Sequence, residues 1–290
     1  MEIRVINYCP ICRSTDLEHS QSVLSPFFAY RTLGVKSLRI MDGEFDDLRA
    51  GESYFPTLTI YCHSCLSVCC NMRFDDETMN RYYTNYQGEE FIEQRVKFEP
   101  SFGKRLLQRT SNNYFRLRGE SISYTNVIND LIKEVVKSTD IKVLDFGGGT
   151  GSNSPFRGDA EIDLIELGDE DQTQNLRSYD VVSILNVLEH VMDPIDVLRR
   201  AGEFAKQRGG FVVIEVPFES FMQEQNPTIW MKKKIWTEHV NCFSKNGLEK
   251  CMNLAGLEIV KEAFLIRTGR ASEEIRENNA AFIAIGAPSS

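Results

Sequence analysis

The stretch Ile141-Lys142-Val143-Leu144-Asp145-Phe146-Gly147-Gly148-Gly149-Thr150-Gly151 decides the fold. Its first half is an apolar run of strand length, and its second half is a glycine cluster. Such a turn between a strand and a helix lets backbone N–H groups approach a ligand with no Cβ in the way. In open α/β sheets, ligands lie beyond the carboxyl ends of the strands. An acidic residue about 20 positions further on would accept hydrogen bonds from ribose hydroxyls. Glu166, 19 positions after Gly147, sits at the end of a second apolar run, Ile162 to Leu167.

Working outward, Tyr179 to Leu185 and Phe211 to Val216 read as two further strands. Between them lies a well-marked helix. Asp193 is its N-cap, Pro194 fits its first turn, Ile195, Leu198, Ala201 and Ala205 line one face, and Gly209 stops it. A later helix is capped by Ser244 and ends at Gly256, and Leu257 to Ile266 and Ala280 to Ile285 supply the last strands. Alternating strands and helices of these lengths predict an α/β, Rossmann-like, parallel doubly wound sheet.

The glycine pattern separates cofactors. A dinucleotide fingerprint begun at Gly147 would need its third glycine at position 152, which is Ser. Asp145 through Gly151 instead resembles motif I of the class I S-adenosylmethionine (SAM)-dependent methyltransferases. Tyr179 to Val182, Asn186-Val187-Leu188-Glu189-His190-Val191 and Asp193-Pro194 look like that family's fourth strand and the loop after it. Gly209 through Pro217 resembles its fifth strand. The resemblance implies a seven-stranded sheet and SAM as cofactor, held by Asp145, Gly147, Gly149, Gly151, Glu166 and Asn186. Only 12 residues separate Glu166 from Tyr179. A helix of about 11 residues and a strand of about 5 do not fit there, so the third strand is expected to be shortened, or lost to leave six.

Cys9-Pro10-Ile11-Cys12 and Cys62-His63-Ser64-Cys65 form two C-x2-C knuckles. Each places two thiolates on one tight turn, and two turns complete a tetrahedron, so Cys9, Cys12, Cys62 and Cys65 are expected to hold a structural zinc ion with no open position. Four buried free thiols are the competing reading. Cys242 and Cys251 read as core thiols, His19 as a surface residue and His63 as a bystander.

Pro56-Thr57-Leu58 before the second knuckle, the aromatic residues Tyr82, Tyr83 and Tyr86, and the SAM-type fold together resemble the sugar C-methyltransferases, without their further C-terminal domain. The resemblance implies an N-terminal zinc domain and a nucleotide-linked sugar as acceptor. Trp236-Thr237-Glu238-His239-Val240-Asn241-Cys242-Phe243-Ser244 is similar to a Glu-His segment in which that family's histidine is the proposed base. His239 and Glu238 are therefore the catalytic candidates, and a histidine bracing the next helix is the alternative. Trp236 stands where the family commonly has a tyrosine. Arg95, Lys97, Lys104, Arg105, Arg109, Arg116 and Arg118 form a basic cluster, read either as a solvated helix face or as a diphosphate site. His190 reads as a brace for the loop over the cofactor.

Three segments are expected: a zinc-binding domain over 1–75, a helical connector over 76–138 and a methyltransferase domain over 139–290. With 33 basic and 42 acidic residues the net charge is −9, which speaks against nucleic acid as partner, since that affinity rests on basic surface. No apolar run approaches a membrane span, and no basic-then-apolar leader is visible, so a cytoplasmic location is expected. Two other functions stay open at this point: a non-catalytic SAM-fold binding or assembly protein, and a nucleic-acid methyltransferase. The sequence leaves the oligomeric state open.

Overall fold

The computed structural model describes residues 3–35, 54–86, 88–99, 128–136, 141–148, 154, 156, 160–167, 179–222, 228–266 and 280–289. The N-terminal elements are β1 (Ile3–Val5), β2 (Leu17–Leu24), α1 (Pro26–Leu33), β3 (Phe55–Cys62), β4 (Val68–Cys70), β5 (Met72–Phe74), α2 (Asp76–Tyr83) and α3 (Glu89–Phe98). A helix over 128–135, α4, leads into the second half. There follow β6 (Lys142–Phe146), β7 (Glu161–Ile165), β8 (Val181–Leu185), α5 (Pro194–Lys206), β9 (Phe211–Phe218), β10 (Ile235–Trp236), β11 (Asn241–Cys242), α6 (Lys245–Leu254), β12 (Leu257–Ile266) and β13 (Ala280–Pro288).

Among the described residues, six strands form the main sheet in the order β12-β13-β9-β8-β6-β7. β7, β6, β8 and β9 run parallel; the inner strands β6, β8 and β9 are largely buried, as a sheet covered on both faces requires, while the edge strand β7 buries only Ile165. The expectation of a parallel sheet fails at one edge. β13 is antiparallel to β9, and β12 pairs with β13 from Leu257↔Pro288 to Ile266↔Ala280. The sheet is mixed. The place of a third strand, 168–178, lies outside the described residues.

The expected helix caps are present. Asp193 Oδ1 accepts from the Ile195 and Asp196 amides at 3.1 and 3.2 Å, and Ser244 Oγ accepts from the Gly247 amide at 2.8 Å. Each satisfies amides that the first helical turn leaves without a partner. The buried side of α5 (Ile195, Leu198, Ala201, Ala205) and that of α6 (Leu248, Cys251, Met252) pack into the same core as Leu144, Ile184 and Ile214.

A second sheet has the order β10-β2-β3-β4-β11. Its centre is N-terminal, but both edges come from the chain after β9. Ile235↔Val23 and Trp236↔Leu24 pair in parallel, while Asn241↔Cys69 and Cys242↔Val68 pair antiparallel. Cys9, Ile11, Cys62 and Cys65 also belong to the core that holds Leu144 and Leu248. Residues before 75 and after 230 thus share one sheet and one core.

Candidate active site and metal centre

The two knuckles are local copies of one another. The Arg13 amide donates to Cys9 O at 2.8 Å and the Leu66 amide to Cys62 O at 2.7 Å. One residue outward, the Cys9 amide donates to Ser14 O and the Cys62 amide to Ser67 O. Arg13 and Leu66, each just after the second cysteine, have φ of 64° and 61°. This left-handed conformation is unfavourable for a side-chain-bearing residue, so the turns are held there by the surrounding structure. They bring Cys9 Sγ to 3.7 Å from Cys65 Sγ and Cys12 Sγ to 3.5 Å from Cys62 Sγ. All four sulfurs lie within 4.8 Å of one another. A tetrahedron with metal–sulfur bonds of about 2.3 Å has edges of about 3.8 Å, so the donor set fits zinc. Hydrogen bonds from Cys65 and Cys9 pull the Cys62 thiol well down, while Cys9 and Cys65 are pushed up, chiefly by their contacts with Cys62. Cys69, Cys70, Cys242 and Cys251 are buried outside the quartet, His19 is exposed, and His63 meets Glu18 at 3.5 Å.

The quartet is anchored to the main sheet. Arg13 pairs with Asp193, the cap of α5, and Lys250 of α6 donates to Ser64 O.

At the carboxyl end of β6 the backbone turns at Gly147, whose φ is +79°. Its amide donates to Ile165 O at 2.7 Å, tying the turn to the end of β7. A Cβ on Gly148 would stand 2.3 Å from Asp145 Oδ2, so the chain closes over the carboxylate. Asp145 is buried and accepts from Ser183 Oγ at 3.0 Å. Burial raises its pKa, and the nearby charge of Glu166 adds to the rise. Glu166 is exposed just beyond β7, and Asn186 is exposed just beyond β8 with φ of 56°. Asp145, Gly147, Glu166 and Asn186 therefore line one edge of the sheet, whereas Gly149 and Gly151 lie outside the described residues.

The same edge carries a cluster of carboxylates and imidazoles. His239 Nδ1 lies 3.2 Å from Glu219 Oε1, at the end of β9. Glu238, next to His239 in sequence, is held elsewhere: Tyr82 OH donates to its Oε2 at 3.1 Å, and its pKa is lowered, against burial, chiefly by Arg95. His190 Nδ1 reaches Tyr83 OH at 2.7 Å and Glu238 O at 3.0 Å, and the two imidazoles pack edge to face with centroids 4.7 Å apart. Burial, reinforced by His239, lowers His190 to about 3, so its ring is neutral at ordinary pH. Burial also raises Glu189 to about 7. Against the effect of burial, Glu219 falls to about 2 through the His239 hydrogen bond and the Lys233 charge, and His239 rises.

Trp236, at the tyrosine position, is fully buried, and its Nε1 donates to Thr59 Oγ1 at 2.9 Å. Lys233 lies over its ring, 5.0 Å from the centroid. Arg95 pairs with Glu99 at 3.2 Å, and Lys97 is exposed. The other members of the basic cluster lie outside the described residues.

Two contributors have no local signature in the sequence, and a third, Tyr83, stands there only among the aromatic residues that carry the family resemblance. Glu219 follows a strand with no motif around it. Tyr83 is one of several aromatic residues. Arg73 is 1% exposed, and its guanidinium donates to the carbonyls of Val191 at 2.6 Å, Met192 at 2.9 Å and Val240 at 3.1 Å. Asn241 Nδ2 adds bonds to Leu188 O at 2.8 Å and Val191 O at 2.9 Å. Arg73 and Asn241 together fix the Glu189–His190 turn.

Residues 120–262, just under half of the chain, match the family described as a methyltransferase domain. No curated protein matches the sequence significantly. Among solved structures, a methyltransferase candidate from Bacillus halodurans C-125 is similar at 11% identity and a TM-score of 0.43, over 56% of this chain and 99% of that one. A SAM-dependent methyltransferase from Thermotoga maritima is similar at 16% identity and 0.41, over 64% and 99%. The YcgJ protein of Bacillus subtilis follows at 12% and 0.40, over 57% and 99%. Likenesses this shallow say nothing about an acceptor. Among the described residues no helix is long and apolar enough to cross a membrane.

Proposed function

From the premise that residues 120–262 are a methyltransferase domain, we propose that the chain binds SAM at the turn after β6 and methylates a small acceptor, a nucleotide-linked sugar or related glycan precursor. One observation carries this reading. The Gly147–Gly148 turn and the Glu219–His239 pair stand at the carboxyl edge of one sheet, where such folds bind ligands. Bound SAM supplies an electrophilic methyl group on a sulfonium. Glu166 would hold the ribose hydroxyls, the backbone of Gly147 and Gly148 the amino-acid end, and Asp145 and Asn186 the walls beside it.

His239 is the base in this account. Glu219 accepts from Nδ1–H, which leaves Nε2 with a free lone pair for the acceptor's proton and stabilises the imidazolium that forms. Glu238 positions its neighbour His190 through its carbonyl and faces Arg95 and Tyr82 with its carboxylate. The cysteine quartet holds structural zinc and, through Arg13 and Lys250, supports α5 and α6 beneath the site. The chain works without crossing a membrane or binding nucleic acid, and in the cytoplasm.

The test is incubation with methyl-labelled SAM and a panel of nucleotide-linked deoxysugars. Label recovered in a sugar supports the reading. No transfer to any sugar, in protein that binds the cofactor, rejects the acceptor class.

A further inference from the structure

Glu189 is the anomaly of the site. Its side chain is 1% exposed, and neither carboxylate oxygen has a hydrogen-bond partner among the described residues. A buried carboxylate is strongly unfavourable unless a donor or a cation meets it. Two imidazoles face it. His190 Nε2 lies 3.7 Å from Glu189 Oε1, and one nitrogen of each ring and a Glu189 oxygen all lie within 4.8 Å of one another.

Both rings are fixed from behind. His190 Nδ1 is engaged by Glu238 O and Tyr83 OH, and His239 Nδ1 by Glu219. Metal-binding imidazoles are held in this way, the far N–H on a carbonyl or carboxylate and the other nitrogen left with its lone pair. The side chains of His190 and His239 are 18% and 33% exposed, so an ion can reach them from solvent.

We propose that Glu189, His190 and His239 form a second metal site, distinct from the cysteine quartet, that takes a divalent first-row transition ion. Two imidazoles and one carboxylate suit zinc, cobalt, manganese or iron(II), and three protein ligands leave a position open. With metal–nitrogen bonds of about 2.0–2.1 Å, tetrahedral ligand atoms stand about 3.4 Å apart, so the three side chains close inward on the ion. The ion takes the His239 lone pair that the base would use. Loaded protein therefore transfers methyl groups slowly. The site itself stands apart from the methyl-transfer reading, because ligation is measured without turnover.

The experiment titrates cobalt(II) into the full chain as isolated, with the cysteine quartet filled. The expected result is one further equivalent with weak visible ligand-field bands and no thiolate charge-transfer band. Glu189→Gln, which keeps the shape of the side chain, and His239→Ala should each abolish it, with the zinc content of the quartet unchanged. Glu219→Gln, which leaves the three ligands in place and alters the support behind His239, should weaken it about 10–100-fold. A wild-type chain that takes up no further cobalt, or a Glu189→Gln chain that binds it as tightly as wild type, overturns the proposal.

Discussion

His239 Nδ1 stands 3.2 Å from Glu219 Oε1, and this contact joins two segments that the sequence keeps 20 residues apart. The strand β9 delivers the carboxylate to the edge of the main sheet. The imidazole arrives on the segment between β10 and β11, whose ends are pinned to the N-terminal sheet. The base of the proposed reaction is therefore positioned by both sheets at once.

If His239 takes the acceptor's proton, His239→Ala should lower turnover by about 10²–10⁴ while leaving cofactor affinity nearly unchanged. Glu219→Gln should cost less, since the imidazole remains. The pH–rate profile of wild type should show a limb at the His239 pKa that the alanine variant lacks. A variant with full turnover would make His239 a brace.

The same pair sets a pH window for stability. Glu219 is depressed from 4.5 to about 2, so its contribution is present above 4.5 and lost as pH falls toward 2. His239 is raised from 6.5, so its contribution is complete below 6.5 and lost as pH rises through the folded value. The two overlap between 4.5 and 6.5. The difference in Tm between wild type and Glu219→Gln should be largest in that interval and shrink on either side. A difference that grew above it would contradict the pairing.

Much of the main sheet was legible because its signals are local. β6, β8 and β9 are apolar runs bounded by turns, Asp193-Pro194 and Ser244 mark their helices, and C-x2-C spacing announces a quartet. The antiparallel edge was not legible, since a strand's pattern does not state its direction. The edge strands β10 and β11 have two residues each, too short for any period, so the second sheet could not be read as spanning both ends of the chain. Glu189, Glu219 and Arg73 take their roles from burial and distant partners, and nothing beside them in sequence marks this.

Arg73 illustrates the point energetically. Its guanidinium serves carbonyls of the 191–192 turn and of Val240. Arg73→Ala removes charged donors from Val191 O, Met192 O and Val240 O, a hydrogen bond to a charged group being worth about 1.5–3 kcal/mol. Urea unfolding should show a destabilisation of about 3 kcal/mol or more. A change within about 0.5 kcal/mol, the usual surface range, would mean that the turn holds itself.

The quartet makes an equally direct prediction. Purified reduced protein should carry zinc on Cys9, Cys12, Cys62 and Cys65, and Cys62→Ser should lower both zinc content and Tm, because structural zinc is coupled to folding. Metal analysis that finds none in protein kept from chelators would leave four buried thiols.

At the turn itself, Gly147→Val should impair both folding and cofactor binding. A side chain at φ of +79° is strained, and its Cβ would stand 3.0 Å from a Val187 methyl. The left-handed conformation alone costs about 1–2 kcal/mol. A variant with unchanged Tm and cofactor affinity would show that the turn has another shape.

The most direct measurement is a calorimetric titration of the wild-type chain with SAM and, separately, with its demethylated product. Saturable binding of both at one site per chain is expected, weakened for Glu166→Ala through loss of a charge-assisted bond to the ribose worth roughly 1.5–3 kcal/mol. Folded, zinc-loaded protein that binds neither molecule would contradict the proposed function.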